Sequence, residues 1–149
     1  DVCSSDLSNV AVKQEAFDVQ SQMNTKPTVL IVEDDEAVSR MLTMALKSAG
    51  FEVDQAWDGH GALSKLENTN HDAVLLDLGL PDGGGPSVLE TLRSWDKPGD
   101  TRPVWFMMSA IDFTDARAQH GLSREQFVPK PFKSWDLASR LYESLGEVR

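Results

Sequence analysis

The chain holds one cysteine, Cys3, among 149 residues. That excludes an internal disulfide and leaves no thiol pattern for zinc, and a cytoplasmic location is the matching expectation. Positive charge is scarce: 14 Lys and Arg stand against 24 Asp and Glu, a formal net charge of -10. The imbalance argues against nucleic-acid binding by this chain. No apolar run is long enough to span a bilayer, so no membrane partner is expected. Phosphate loops are missing too. Gly59-His60-Gly61 lacks the third glycine and strand context of a dinucleotide fingerprint, and Gly83-Gly84-Gly85 is not followed by Lys and Ser or Thr. His60, His71 and His120 have no metal-ligand spacing and are expected to be exposed or locally bonded. Trp57, Trp95, Trp105 and Trp135 fall on separate segments, where packing or surface contact is the default. There is no internal repeat and no low-complexity block.

What is present suffices for one domain with a sizeable core. Residues 1–26 show no convincing periodic face and are expected to form a mobile tail or frayed helix, with residues 1–7 reading as a translated sequencing-adapter remnant. Residues 27–149 are expected to form the domain. Val29 to Val32 is a continuous apolar run, as in a strand buried on both faces. Val38, Met41, Leu42, Ala45, Leu46 and Ala49 then recur at helical spacing, with Gly50 where a C-terminal cap belongs. Phe51 to Trp57 mixes polar and apolar residues, which suits an edge strand. Ala62, Leu63 and Leu66 mark a short helix, and Ala73 to Leu78 a second buried strand. Pro81 to Pro86 reads as a loop, and Val88, Leu89 and Leu92 as a third helix. Val104 to Met108 is a buried strand, Asp112 to His120 a weakly periodic helix, and Phe127-Val128 a short last strand. Leu137, Ala138, Leu141, Tyr142 and Leu145 give a final amphipathic helix. Strands alternate with helices throughout, which predicts an α/β fold with a parallel sheet covered on both faces.

Charged residues gather where the strands end. Glu33 and Asp34 follow the first strand, Asp77 closes the third, Ser109 the fourth, and Lys130 follows the fifth. In a sheet ordered 2-1-3-4-5 the first and third strands are neighbours, so the carboxylates converge at the edge where open parallel sheets bind ligands. Like charges that close repel unless a cation sits among them. Magnesium takes oxygen ligands, keeps several waters and uses one or two carboxylates. Asp34 and Asp77 fit as direct ligands, with Glu33 acting through water. A lysine ammonium can pair with a phosphoryl oxygen, and a serine hydroxyl can donate to another. Singly each residue is an ordinary surface acid, strand-end hydroxyl or solvated lysine. After correctly placed strands, together, they read as a magnesium and phosphoryl site. Pro131 lowers the cost of a cis peptide after Lys130.

Val29 to Asp35, Leu75-Leu76-Asp77-Leu78-Gly79-Leu80-Pro81 with Gly85, Met108-Ser109-Ala110, and Phe127-Val128-Pro129-Lys130-Pro131-Phe132 together resemble the response-regulator receiver domain of two-component signalling. The resemblance runs from Thr28 to Gly146, with every landmark in order. It implies a flavodoxin-like doubly wound fold, a five-stranded parallel sheet ordered 2-1-3-4-5. It implies that Asp77 is the phosphoacceptor, served by a sensor histidine kinase or histidine phosphotransfer protein. Asp34, Asp77 and the backbone carbonyl of Gly79 would hold Mg2+, and Lys130 and Ser109 would bind the phosphoryl oxygens. Ser109 and Phe127 would be the switch pair, biasing the face made by the fourth helix, fifth strand and fifth helix. Beyond its own phosphorylation and dephosphorylation such a domain is not an enzyme.

Several positions depart from the commonest pattern. Glu33 replaces an aspartate, Ser109 a threonine, and Phe127 a tyrosine, while Gly79 leaves no side chain two positions after the acceptor. Gly83-Gly84-Gly85 suggests an unusually loose loop. None removes a required chemical group. A haloacid-dehalogenase-type phosphatase also uses a strand-end aspartate, but needs a second acid where Gly79 stands. Three readings stay open: a stand-alone receiver that acts by binding a downstream protein, a phosphorylation-dependent dimer included, or shuttles phosphate in a relay; a fragment of a longer regulator or hybrid kinase whose output domain is missing; and a phosphorylation-independent pseudo-receiver.

Overall fold

Apolar runs become the inner strands of a single sheet, and the helical patterns between them cover its two faces. The computed structural model describes residues 26–95 and 102–148. The expected tail, Lys26 excepted, lies outside the described residues. Strand β1, Thr28–Val32, leads to helix α1, Glu36–Ser48. Strand β2, Glu52–Ala56, leads to α2, Gly59–Asn68, and β3, Ala73–Asp77, to α3, Gly85–Arg93. Strand β4, Val104–Ser109, leads to α4, Phe113–His120; after a 3-10 turn at Arg124–Gln126 come β5, Phe127–Pro129, and α5, Ser134–Val148. The order across the sheet is β2-β1-β3-β4-β5 with every pair parallel, the flavodoxin-like arrangement.

Strand side chains alternate between two cores. Leu30, Val32, Val74, Leu76 and Met107 pack against α2, α3 and α4 through Ala62, Leu66, Val88, Leu92 and Ala116. Val29, Ile31, Leu75 and Met108 pack against α1 and α5 through Leu42, Leu46, Leu137, Leu141 and Leu145. Burial on both faces explains why the central strands read as unbroken apolar runs. The exposed residues of β2 follow from its place at the sheet edge.

Helix ends follow local chemistry. The Asp35 carboxylate accepts the Ala37 and Val38 amides and starts α1. Gly50, with φ of 101°, turns the chain out of it, and the Tyr142 hydroxyl on α5 donates to the Ala49 carbonyl there at 2.5 Å. The weakly periodic segment does form a helix, started by Asp112 accepting the Asp115 amide and followed by Gly121. Two expectations change. Gly85 and Pro86 belong to the first turn of α3, where a proline loses no intrahelical bond. Two of the three glycines in the run are also closely packed: an added Cβ on Gly84 would meet the Gly59 Cα at 2.7 Å, and one on Gly85 the Leu78 carbonyl oxygen at 3.2 Å, while Gly83 faces open space. Gly84 and Gly85 permit close backbone approach.

Candidate functional site

Backbone pairing continues one residue past several strands and fixes the direction in which the chain leaves them. The Glu33 amide donates to the Ala56 carbonyl at 3.1 Å, Leu78 to Met108 at 3.2 Å, and Lys130 to Ser109 at 2.8 Å. The side chains just beyond the strands are therefore set by the sheet and not by mobile loops.

Carboxylate oxygens of Glu33, Asp34 and Asp77 lie within 4.8 Å of one another. Glu33 is 1 % exposed, Asp77 is buried and Asp34 exposed. The Lys130 ammonium reaches Glu33 Oε1 at 2.8 Å and Asp77 Oδ1 at 3.4 Å. Glu33 Oε2 accepts the Asp35 amide at 3.3 Å, and Asp77 Oδ1 accepts the Gly79 amide at 3.2 Å. Burial, then the neighbouring Asp77, pushes the Glu33 carboxyl up to about 7 against the opposing pull of Lys130. Burial alone would lower Lys130, but its bond to Glu33 and the Asp77 charge outweigh that and raise it. The donor set is all hard oxygen, without sulfur or imidazole, and three carboxylates gathered within 4.8 Å are what a divalent cation neutralises. The residues present therefore fit magnesium.

Ser109 is buried, and its hydroxyl oxygen accepts the Ile111 amide at 3.1 Å. The Lys130–Pro131 peptide is cis. Phe127 stands apart from the acids, opposite Met107 at the start of β5. Its ring is 6 % exposed and meets Phe113 of α4 edge-on, centroids 5.6 Å apart. The Arg124 guanidinium lies 4.3 Å from the Phe113 ring centroid.

Two arrangements had no counterpart in the sequence reading. Asp82, in the loop after Asp77, accepts the Gly59 amide at 3.1 Å, the His60 amide at 3.3 Å and the Gly84 amide at 2.9 Å. Those backbone bonds hold its carboxyl below the usual range. Its Pro-Asp-Gly setting signals a turn, but nothing local names a partner on α2. On β2, Asp54 meets the Lys65 ammonium at 2.5 Å and Nε2 of buried His71 at 3.0 Å. His71 is thus neither exposed nor locally bonded but buried and paired across 17 residues of chain, while His60 is exposed as expected.

A family model described as the response regulator receiver domain matches residues 29–142. The KDP operon transcriptional regulatory protein KdpE of Escherichia coli is 33% identical over 117 residues, covering 78% of this chain and 50% of that protein. The probable transcriptional regulatory protein TcrX of Mycobacterium tuberculosis is 34% identical over 114 residues, covering 76% and 47%. The chain thus spans about half the length of the curated relatives it matches. Among solved structures, a CheY-like response regulator receiver domain protein from Methanospirillum hungatei superposes with a TM-score of 0.69 at 27% identity, covering 83% of this chain and 96% of that one. The receiver domain of the Francisella response regulator 1452 has a TM-score of 0.72, covering 83% and 100%. At 23% identity the latter speaks for the fold alone. Among the described residues no helix is long and apolar enough to cross a membrane.

Proposed function

The chain belongs to the response regulator receiver domain family, and on that premise we propose that Asp77 accepts a phosphoryl group from a sensor histidine kinase or histidine phosphotransfer protein in the cytoplasm. The observation that carries the reading is the convergence of Glu33, Asp34 and Asp77 with the Lys130 ammonium at one strand edge. A carboxylate oxygen of Asp77 attacks phosphorus, the phosphorus–nitrogen bond of the donor breaks, and the imidazole leaves with its electron pair. The product is an acyl phosphate on Asp77. Asp34, Asp77 and the Gly79 carbonyl would hold Mg2+, with Glu33 acting through water. Bound there, the ion supplies charge neutralisation for the incoming phosphoryl oxygens. Lys130 is within reach of Asp77 and can move from the carboxylate to a phosphoryl oxygen as the negative charge shifts outward.

Ser109 links this chemistry to α4. Its oxygen accepts from Ile111, and a serine O–H can donate to another oxygen. Drawn towards a phosphoryl oxygen, the hydroxyl takes with it Ile111, the residue before the α4 cap. The change biases the face of α4, β5 and α5, to which Phe127 and Phe113 belong. A downstream protein or a second copy of the chain would read that face. The acid set with Lys130 weighs against a phosphorylation-independent module. Transcriptional regulation belongs to KdpE and TcrX by name, and their greater length supports a second reading, a receiver serving a longer regulator.

Intact mass after incubation with acetyl phosphate and magnesium tests the proposal. One phosphoryl group should be gained by the wild type and none by Asp77→Asn. Unchanged labelling of that variant overturns the assignment.

A further inference from the structure

We infer that Asp82 is a positioning residue for the metal-binding loop, tying its course to the N-terminus of α2. The inference rests on the reading of Gly79 as a carbonyl ligand. Residues 78–84 join the acceptor to α3. At the near end Leu78 donates to the Met108 carbonyl and Gly79 to Asp77 Oδ1, and two anchors hold the far end. Leu80 is buried in the core, a non-directional contact that sets depth and leaves peptide planes free to turn. Asp82 supplies the directional anchor through the Gly59, His60 and Gly84 amides.

Helix α2 does not need this merely as a cap. Asp58 already accepts the Gly61 amide with its side chain at 2.7 Å and the Ala62 amide with its carbonyl at 3.1 Å. Asp82 takes the remaining two first-turn amides from 22 and 23 residues away. Helix α3 has no side-chain cap of its own, so the same carboxylate serves both helix starts. The backbones also touch: a Cβ on Gly59 would come 2.5 Å from the Gly84 Cα. The loop is thus located against α2, and Gly79, with no side chain to lodge it, takes its orientation from the stretch between Asp77 and Asp82.

The test is magnesium titration by calorimetry of wild type, Asp82→Ala and Asp82→Asn, below their melting transitions, with amide NMR of each protein free of metal. Asp82→Ala should weaken magnesium on the order of tenfold, as loss of an outer support does, and shift the Gly79 amide along with those of Gly59, His60 and Gly84. Asparagine keeps an acceptor oxygen without the charge and should recover most of the affinity. Equal losses in both variants would assign the effect to the missing charge and overturn the tie, as would an unchanged affinity in Asp82→Ala. Failure of the wild type to bind magnesium would instead sink the metal-site reading. The Gly79 resonance still decides the tie in that case, because an unmoved signal in Asp82→Ala overturns it with or without metal.

Discussion

Two segments leave neighbouring strands at the same edge of the sheet and are held by different means. After β3, the loop is pinned by Leu80 in the core and by Asp82 on α2, and α3 then buries Val88, Leu89 and Leu92. After β4, α4 buries only Ala116. It is kept in place at its rims, by Phe113 against Phe127 and by Arg93 of α3 bonding the His120 carbonyl. Apolar burial is lost only by unfolding, whereas polar and aromatic rim contacts can be exchanged for others at little cost. The acceptor side is therefore built to hold geometry, and the α4 side is the part with freedom to respond.

The largest effect expected from this contrast is on stability. Leu92→Ala, fully buried on α3, should cost about 3 kcal/mol, and Ala116→Gly on α4 about 1 kcal/mol, both read by urea unfolding. Comparable losses would break the comparison, and slower amide exchange in α4 than in α3 would reverse it. Adjacent acids sharpen it next. Asp34→Ala should weaken magnesium on the order of tenfold, or about 1.4 kcal/mol. Asp35→Ala should leave magnesium nearly alone and remove about 1 kcal/mol of stability, because its carboxylate caps α1. Equal losses of metal would show that the acid pair is misplaced by one residue.

Gly79→Arg separates backbone from side chain on the pinned loop. Gly79 is not among the positive-φ glycines, and an added Cβ would meet only Asp77 Oδ1 at 3.8 Å, so the substitution fits. It should change the decay of the phosphorylated protein about tenfold, or about 1.4 kcal/mol in the barrier, with magnesium affinity nearly intact. Collapse of affinity with unchanged decay would mean that the backbone alone matters there. The smallest effect concerns Asp54, which ties α2 and the turn before β3 to the pinned half. Burial works against its ionisation, yet Lys65 and His71 hold its carboxyl below the ordinary value. Its contribution is full above the unfolded carboxylate pKa and is lost as pH falls through the lower folded one. Asp54→Asn should cost under about 1 kcal/mol at neutral pH, a difference that closes in acid denaturation profiles. A difference that persists at low pH would assign the loss to packing.

How legible each half was depends on how it is held. Central strands buried on both faces announce themselves as apolar runs, and the acids and lysine at their ends can be placed once strand order is inferred. Helix α4 was faint because one buried alanine leaves no periodic stripe, although Asp112 and Gly121 mark its ends. Pro86 likewise carried an unused signal, since proline favours a first helical turn. Asp82 was invisible for another reason. Its partners are backbone amides on a different helix, and no side-chain type at Gly59 or His60 announces such a bond. The buried pairing of His71 with Asp54 was hidden in the same way, by separation along the chain.

The contact between Gly59 and Gly84 has a consequence for how such a sequence can drift. Gly59 is glycine because the Gly84 backbone fills the space a side chain would need, and Gly84 because the Gly59 backbone and the Asp82 carboxylate fill its own. Alanine at either forces the loop and α2 apart; once they are apart an alanine at Gly59 meets little, whereas one at Gly84 still meets the Asp82 carboxylate. The two costs should therefore be strongly non-additive. A lineage that lost Gly84 would be under little pressure to keep Gly59, whereas loss of Gly59 would leave Gly84 still constrained by Asp82, so the two positions are coupled more strongly in one direction although they lie on different elements.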